Sequence, residues 1–526
     1  MSQTIDRPDR HPAESPGPTA AERAALLAIV AIAAVLRFVD LPTRGQWDAD
    51  QGHDMLVLRA FVQDGVVPLL GPPTSIGNFH HGVLYYYLLA PVAAVLGADP
   101  LAVVGAIAVA GVTAVAVVWW LARAMAGPVA AIVAAGLMAV SASAIEEPTF
   151  IWNPNIIALS SALALAAAWR AWTSGRARWW IAAVAAQTVT MHGHVLGSVM
   201  LVPLVALLLA EAARRSGGGR RRVIGAGLVG LALMAASYLP LLLHETASGF
   251  AETRAVLDYL GGGGGGDASS LAVRLAVVPL RILSWPLTGL ITDQPLAGIA
   301  AAAAVVAILV WRVRDGRGSE RTAAAWLAAT LLWSAVALAI AASSLGSVVR
   351  GLPNDHYHAF LDPVVFVAVG LGVAALWQHG HAVGPGGRAA RAAAVTAVLA
   401  VVAVNVAIRP PPVASDHGYP AAERAARRII DALRGQPYAL AGLPKLKSTD
   451  AYGFPLTRLG AAPTAGAGAT RLVVACDRLL EPLTGAACAG AAEAELVVRR
   501  GGGWTLVERF DASPRTVISI YAAERP

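Results

Sequence analysis

Between Ala24 and Ile408 the chain is a succession of apolar runs, each about 20 residues long and separated by short polar turns. A helix needs a run of that length to cross the hydrocarbon of a bilayer. Eleven candidate spans begin near Ala24, Pro100, Gly127, Asn155, Ala177, His194, Val223, Pro295, Thr322, Ala359 and Ala392. Composition agrees, since 14% of the 526 residues are charged where a soluble chain carries about a quarter. The expected fold class is mostly α, a polytopic helical domain whose partner is the lipid bilayer. A net charge of +7 raises the question of nucleic acid, but so few charges on so apolar a chain make no dense basic face, which excludes that partner. Residues 1–23 are polar, Pro-rich and without apolar periodicity, and are read as a disordered tail. The first span is open to reading as a secretory signal, but the polar loop after it carries chemistry, so an uncleaved anchor is expected.

Charge sets the orientation. With the N-terminus cytoplasmic, the inner loops collect Arg123, Arg170, Arg176, Arg178, Arg214, Arg215, Arg220, Arg221, Arg222, Arg312, Arg314, Arg317, Arg321, Arg388 and Arg391. The outer loops before the tail domain hold only Arg44, Arg59, Arg254, Arg274, Arg281 and Arg350, the asymmetry of the positive-inside rule. Counting Gly82 to Gly97 as a further span inverts this balance. That stretch is short, holds Pro91 and three consecutive tyrosines, and is read as an interfacial or re-entrant helix with its Tyr at headgroup level. Leu271 to Leu290, with Arg274, Arg281 and Pro286, is expected along the outer surface. The expected setting is a bacterial plasma membrane.

The membrane domain, residues 24–408, ends before the stiff connector Pro410 to Val413. Residues 409–526 read as a small extracytoplasmic α/β domain. A helix is expected from about Tyr419 to Arg434, and strands at Tyr438 to Ala441, Leu472 to Ala475, Leu496 to Val498, Thr505 to Glu508 and Val517 to Tyr521. Both cysteines, Cys476 and Cys488, lie here. An exterior location makes a disulfide the expectation, with two free buried thiols as the alternative. The glycine run Gly261 to Gly266 has no GK[ST] after it and no strand before it, so it reads as a loop hinge and not a phosphate loop.

The densest chemistry is in the first outer loop, QWDADQGHDMLVLRAFVQDGVVPLLGPPTSIGNFHHGVLYYYLL from Gln46 to Leu89. Met55, Leu58, Phe61 and Val62 form one stripe of a helix over about Gln51 to Gln63, with Asp50 expected as its N-cap and Gly65 past its end. Asp54 follows Asp50 by one turn, so both carboxylates share a side. For any one Asp the plain alternative is a capping residue on a solvated helix. Asp48, Asp50, Asp54, His80, His81 and an aromatic belt in one loop argue for a site.

This pattern resembles the GT-C membrane glycosyltransferases, in particular the lipid A aminoarabinose transferase and protein O-mannosyltransferase-like family. By that resemblance Asp50, third after Trp47, is the catalytic base, and Gln51 replaces the usual Glu. His81 matches the Lys or His before the interfacial helix, with Gly82 where Pro is expected. In EEPTFIWNPN, Glu146 to Asn155, Asn153 stands where a second acid is expected, and Glu146 or Glu147 is the substitute. In SVVRGLPNDHYHAF, Ser347 to Phe360, Arg350 is the residue expected to meet a lipid-linked phosphate, with His356 and His358 behind it. Asp48, Asp54 and His80 join the expected substrate-binding set. So do His192 and His194 in the turn TMHGHV, for which simple turn solvation is an equal reading.

The implied reaction is transfer of a sugar from a polyprenyl-phosphate donor to a glycan, lipid or protein acceptor on the outer face. Its transition state is oxocarbenium-like. A phosphate leaving group needs positive charge and hydrogen bonds, assigned to Arg350 and His81. The acceptor hydroxyl needs a carboxylate within reach, assigned to Asp50. No cofactor is expected, although Asp48, Asp50 and Glu146 are of a kind that holds a hard cation. The alternative is a flippase or transporter of lipid-linked sugar, which is expected to concentrate ionisable residues at the bilayer midplane.

Overall fold

Arg37 shows how the first part of the bundle is assembled. It sits in the last turn of α1 (Ala20–Phe38), a helix that begins where the Thr19 hydroxyl accepts from the Glu22 amide. The guanidinium is fully buried, and its Nη atoms donate to the carbonyls of Ala33, Met138 and Ala139. The computed structural model in which this is seen describes residues 17–74, 78–259, 269–347, 355–380, 385–444, 449–464, 468–501 and 503–523. Helices α2 (Ala49–Asp64) and α3 (Leu84–Val95) follow α1. Next comes α4, a 41-residue run from Pro100 to Val140.

Forty-one residues at 1.5 Å each make a rod of about 62 Å, twice the thickness of a bilayer's hydrocarbon. The run instead breaks at Ala126 and Gly127, the latter at φ 83°, in the left-handed region that glycine tolerates. A Cβ on Gly111 would lie 3.3 Å from Arg37 Nε, and Ala139 binds the same guanidinium. The two halves therefore run side by side, and Arg123 beside the break pairs with Glu22 at the start of α1, 2.7 Å apart. The spans expected from Pro100 and from Gly127 are the two limbs of this hairpin.

Among the described residues eight helices are long and apolar enough to cross a membrane, or nine if the bent pair Gly217–Ser237 and Leu239–Ser248 counts as one. One of the eight is α5 (Leu271–Thr288), the segment expected along the outer surface. Near its start Arg274 Nε donates to Ala339 O, at the end of the helix Gly318–Ala341. Near its finish Leu287 O accepts from Asn405, and the Trp285 indole faces Glu147. Both ends of α5 thus lie at one end of the bundle. Helix α3, expected at the interface, is an apolar helix 12 residues long, about 18 Å. Its Tyr85 and Tyr86 are buried, and Tyr87 donates to Pro68 O.

The soluble domain is a four-stranded sheet of order β1-β2-β4-β3, formed by β1 (Tyr438–Leu443), β2 (Arg471–Asp477), β3 (Trp504–Asp511) and β4 (Thr516–Ala523). The β1–β2 pairing is parallel and the others are antiparallel. Helices α6 (Gly418–Leu433), α7 (Asp450–Arg458) and α8 (Ala491–Arg499) pack with it. The strand expected at Leu496 to Val498 is instead part of α8. Glu493, Leu496 and Val497, at helical spacing, form its buried stripe, and the Glu493 carboxylate accepts from Arg509 and from the Tyr521 hydroxyl. Cys476 and Cys488 form the expected disulfide and tie β2 to the loop before α8.

This domain is fastened to the first loop of the bundle. The Trp47 amide donates to Asp416 Oδ2 at 2.7 Å, and its indole donates to Ala451 O at 2.8 Å. His53 Nδ1 lies 2.9 Å from Asp450 Oδ2, and Arg458 pairs with Asp99 at the start of α4. At Gly52 a Cβ would stand 2.0 Å from Asp450 O. Gly52→Ala gains about 1 kcal/mol in helix propensity, but it forces two backbones apart, which costs about 1–3 kcal/mol or more. The expected net result is a lower unfolding temperature in detergent; an unchanged or raised one would contradict the close approach of α2 and α7.

Candidate active site

The N-terminus of α2 is held by a capping box. Asp48 is the N-cap, in place of the expected Asp50: its carboxylate accepts from the Asp50 amide, and Gln51 Oε1 accepts from the Asp48 amide at 2.8 Å. Gln51 Nε2 also donates to Ile151 O at 2.9 Å. A Glu at position 51 would complete the box but has no proton to give Ile151, which accounts for the amide. Asp50 lies in the first helical turn with an exposed side chain, where the helix dipole favours a carboxylate.

Asp54, one turn on, is buried between α2 and α3 and accepts from the Tyr86 hydroxyl at 2.7 Å. The two acids expected to share a side therefore differ in surroundings, one open and one enclosed. Burial pushes the Asp54 carboxyl up to about 7, against the hydroxyl of Tyr86, and the charge of Asp50 adds to the rise. Asp54 therefore holds its proton to near neutral pH, far above an ordinary carboxyl, and acts as a tie between two helices.

The histidines separate into distinct roles. His81 is buried, and its Nδ1 accepts from the Val195 amide at 3.3 Å, which leaves Nε2 to carry the proton of the neutral ring. Burial, with the charge of His80, drives its pKa down to about 3. Of the positive charge and hydrogen bonds expected from Arg350 and His81, a neutral His81 has the hydrogen-bond donor, at Nε2. Its ring lies 4.7 Å from that of His194, which stacks on Tyr357 at 4.6 Å. His194 Nδ1 caps the next turn by accepting from the Leu196 amide. Burial holds its pKa well below the ordinary value, reinforced by His81 and His356.

His192 points elsewhere. Its Nδ1 accepts from the Leu84 amide, its Nε2 lies 2.9 Å from the Ser237 hydroxyl, and its ring stacks on Tyr238. That ring also occupies the space a side chain at position 82 would need, with Nδ1 2.0 Å from a built Cβ, so Gly82 in place of Pro follows from His192. His80 makes two contacts with Glu252 on the helix Ala251–Asp258, through its amide at 2.7 Å and its ring at 3.0 Å.

The segment Glu146 to Asn155 and the histidines near Asp355 complete the cluster. Trp152 lies 3.9 Å from His356, which abuts Tyr357 at 4.5 Å. Asn153 is buried with its amide donating to Gly193 O, so it holds the turn before His194, a bond that the acid expected there could not make. Glu147 is buried beneath the indole of Trp285, and burial raises its pKa to about 8, with Glu146 adding to the rise. Glu146 itself is exposed. His358 is buried, 3.4 Å from Asp355. Arg350 lies outside the described residues.

Arg281 was not among the expected site residues. It is 1% exposed, reaches Asp355 through Nε at 2.8 Å and Nη2 at 2.7 Å, and donates from Nη1 to Leu345 O and Ser347 O. The available signal was an arginine inside an apolar helix. Contacts thus run without a break from the α2 terminus through Gln51, Ile151, Trp152, His356, Tyr357 and His194 to His81. The arrangement links the helix terminus that carries an exposed carboxylate to neutral imidazoles and aromatic faces.

For Asp54 the sign of the pH effect is definite. A carboxyl whose pKa is raised on folding from 3.8 to about 7 destabilises the fold progressively as pH rises through that window. Asp54→Asn removes this penalty, worth about 1.4 kcal/mol per pH unit while it develops. Relative to the parent, the variant is expected to gain unfolding temperature between pH 4 and pH 7; an offset independent of pH would contradict a protonated Asp54.

The family model described as dolichyl-phosphate-mannose-protein mannosyltransferase matches residues 80–239, which begin at His80 and include His81, Asn153, His192 and His194. Among solved structures, ArnT from Cupriavidus metallidurans in the apo state is similar over 95% of this chain and 98% of its own, with TM-score 0.58 and 15% identity. The same protein bound to undecaprenyl phosphate matches equally well, over 94% and 98%. The archaeal oligosaccharyltransferase AglB from Archaeoglobus fulgidus, in complex with an inhibitory peptide and a dolichol-phosphate, covers 88% of this chain and 70% of its own at TM-score 0.51 and 12% identity. No curated protein matches by sequence. The chain is a multi-span membrane protein with the fold of the GT-C glycosyltransferases.

Proposed function

We propose that the protein transfers a sugar from a polyprenyl-phosphate donor to an acceptor on the outer face of a bacterial plasma membrane, with Asp50 as general base. The observation that carries this reading is the placement of Asp50 at a rigidly held helix terminus, joined by continuous contacts to the imidazole and aromatic cluster around His81. Similarity of fold to a protein seen with undecaprenyl phosphate, and to another seen with a dolichol-phosphate, supports a lipid-linked donor. The Arg-rich loops at the other end of the bundle support an outward-facing site.

In this reading the bond from the anomeric carbon to the phosphate oxygen breaks as the acceptor oxygen forms its own bond to that carbon. The acceptor's proton passes to Asp50. Neutral His81 donates a hydrogen bond through Nε2 to phosphate or sugar, and Arg350 supplies the charge that a departing phosphate needs. The bidentate pair of Arg281 with Asp355 holds both flanks of the segment that contains Arg350, through Leu345 O and Ser347 O on one side and Asp355 on the other. We propose that transfer needs no divalent metal.

Removing a general base lowers a rate by about 10²–10⁴-fold. Asp50→Asn is expected to reduce sugar transfer from a radiolabelled polyprenyl-phosphate donor by that amount, with an unfolding temperature matching the parent; near-parental transfer would take Asp50 out of the mechanism. Transfer by the parent is expected to survive an excess of EDTA, and a loss restored by a divalent cation would contradict metal-free chemistry.

A further inference from the structure

A cleft of about 270 Å³ lies where the bundle meets the soluble domain, and the reaction as described leaves it without a role. Its floor is apolar, formed by Leu41, Leu101 and Val104 beside the first turns of α4, and Leu101 remains 45% exposed. One wall is the aromatic pair Trp47 and Tyr419, with ring centres 4.6 Å apart. Gln46 contributes an amide and Glu423 a carboxylate. The cleft shares a partition with the active site: Ile151 lines it, accepts from Gln51, and is followed by Trp152, which faces His356 on the other side. Gln46 and Trp47 lead directly into Asp48 and Asp50.

The chemistry of the walls selects among ligands. The lining guanidinium, Arg458, is already occupied, since Nη1 donates to the Tyr419 hydroxyl at 2.9 Å and Nη2 to Asp99 at 2.7 Å. No other cation lines the cleft among the described residues, so nothing there answers a phosphate; the Glu423 carboxylate accepts from Arg427 through Oε1 at 2.8 Å and presents an acceptor, not a donor, to the cleft. An amide, a carboxylate and aromatic faces suit hydroxyl groups on a ring. The volume sits just under the usual range for small-molecule pockets, about 300–1,000 Å³, which gives room for one sugar-sized group above an apolar floor.

We propose that this cleft is the acceptor subsite, and that it takes the hydroxyl-bearing headgroup of a membrane-resident amphiphile whose hydrocarbon lies along Leu101 and Val104. The acceptor role rests on the transferase reading above; docking of the headgroup does not. The test uses the full chain in nanodiscs and reads binding of octyl β-glucoside, against octyl phosphocholine of equal chain length, by saturation-transfer NMR. Glucoside binding is expected to saturate, to resist octyl phosphocholine, and to weaken at least about tenfold when Gln46→Ala and Glu423→Ala are combined. Leu101→Trp, which fills the floor without touching a polar group, is a second variant expected to weaken it. Equal binding of the two probes, or glucoside binding that survives both sets of substitutions in folded protein, overturns the proposal. Displacement of glucoside by polyprenyl phosphate gives the cleft to the donor and also overturns it. A parent protein that binds glucoside yet moves no sugar contradicts the transferase reading and with it the acceptor role. One that moves sugar while its glucoside binding ignores the variants contradicts the cleft alone.

Discussion

The fixed position of the N-terminus of α2 is the constraint on which the rest of the structure depends. Three parts of the chain hold it: Gln51 binds the loop before Asn153 at Ile151, Trp47 binds the C-terminal part of the chain at Asp416 and Ala451, and Asp54 binds α3 through Tyr86. A short helix at a membrane surface gains little from its own hydrogen bonds, so its placement comes from these partners. Catalysis by a carboxylate depends on sub-ångström placement, and each anchor removes a direction in which Asp50 can drift.

The surrounding polar residues obey the same economy of desolvation. A buried charge is tolerated when it is paired and hydrogen-bonded, as Arg281 is with Asp355 and two carbonyls. A buried titratable group without a charged partner is pushed toward its neutral form, as Asp54 and His81 are. Enclosure therefore sorts the site's residues into neutral donors and ties, and leaves Asp50, in the first turn of α2, with an exposed side chain.

How much of this was legible in the chain itself depends on the range of the interactions. Apolar runs are local signals, and they located apolar helices and the break before Gly127. The disulfide followed from compartment. Roles set by partners far along the chain were not legible. Asp48 takes the N-cap expected of Asp50 because Gln51 reciprocates, and nothing local shows that the same Gln51 reaches Ile151. Leu496 to Val498 reads as a strand until Glu493 is seen buried against Arg509 and Tyr521. Arg281 counted as a marker of topology because its partner Asp355 lies 74 positions away. Gly82 looked like a departure from a family pattern, and the ring of His192 supplies its reason.

The central claim is that the α2 terminus and the imidazole cluster form one site that receives a lipid-linked phosphate. A density map of the full chain with polyprenyl phosphate bound tests it most directly. The account predicts the phosphate at the α2 end of the bundle, within hydrogen-bond reach of His81 Nε2, with Asp50 facing the space where an anomeric carbon would sit. A phosphate lodged mid-bundle or among the arginines at the opposite end would contradict it.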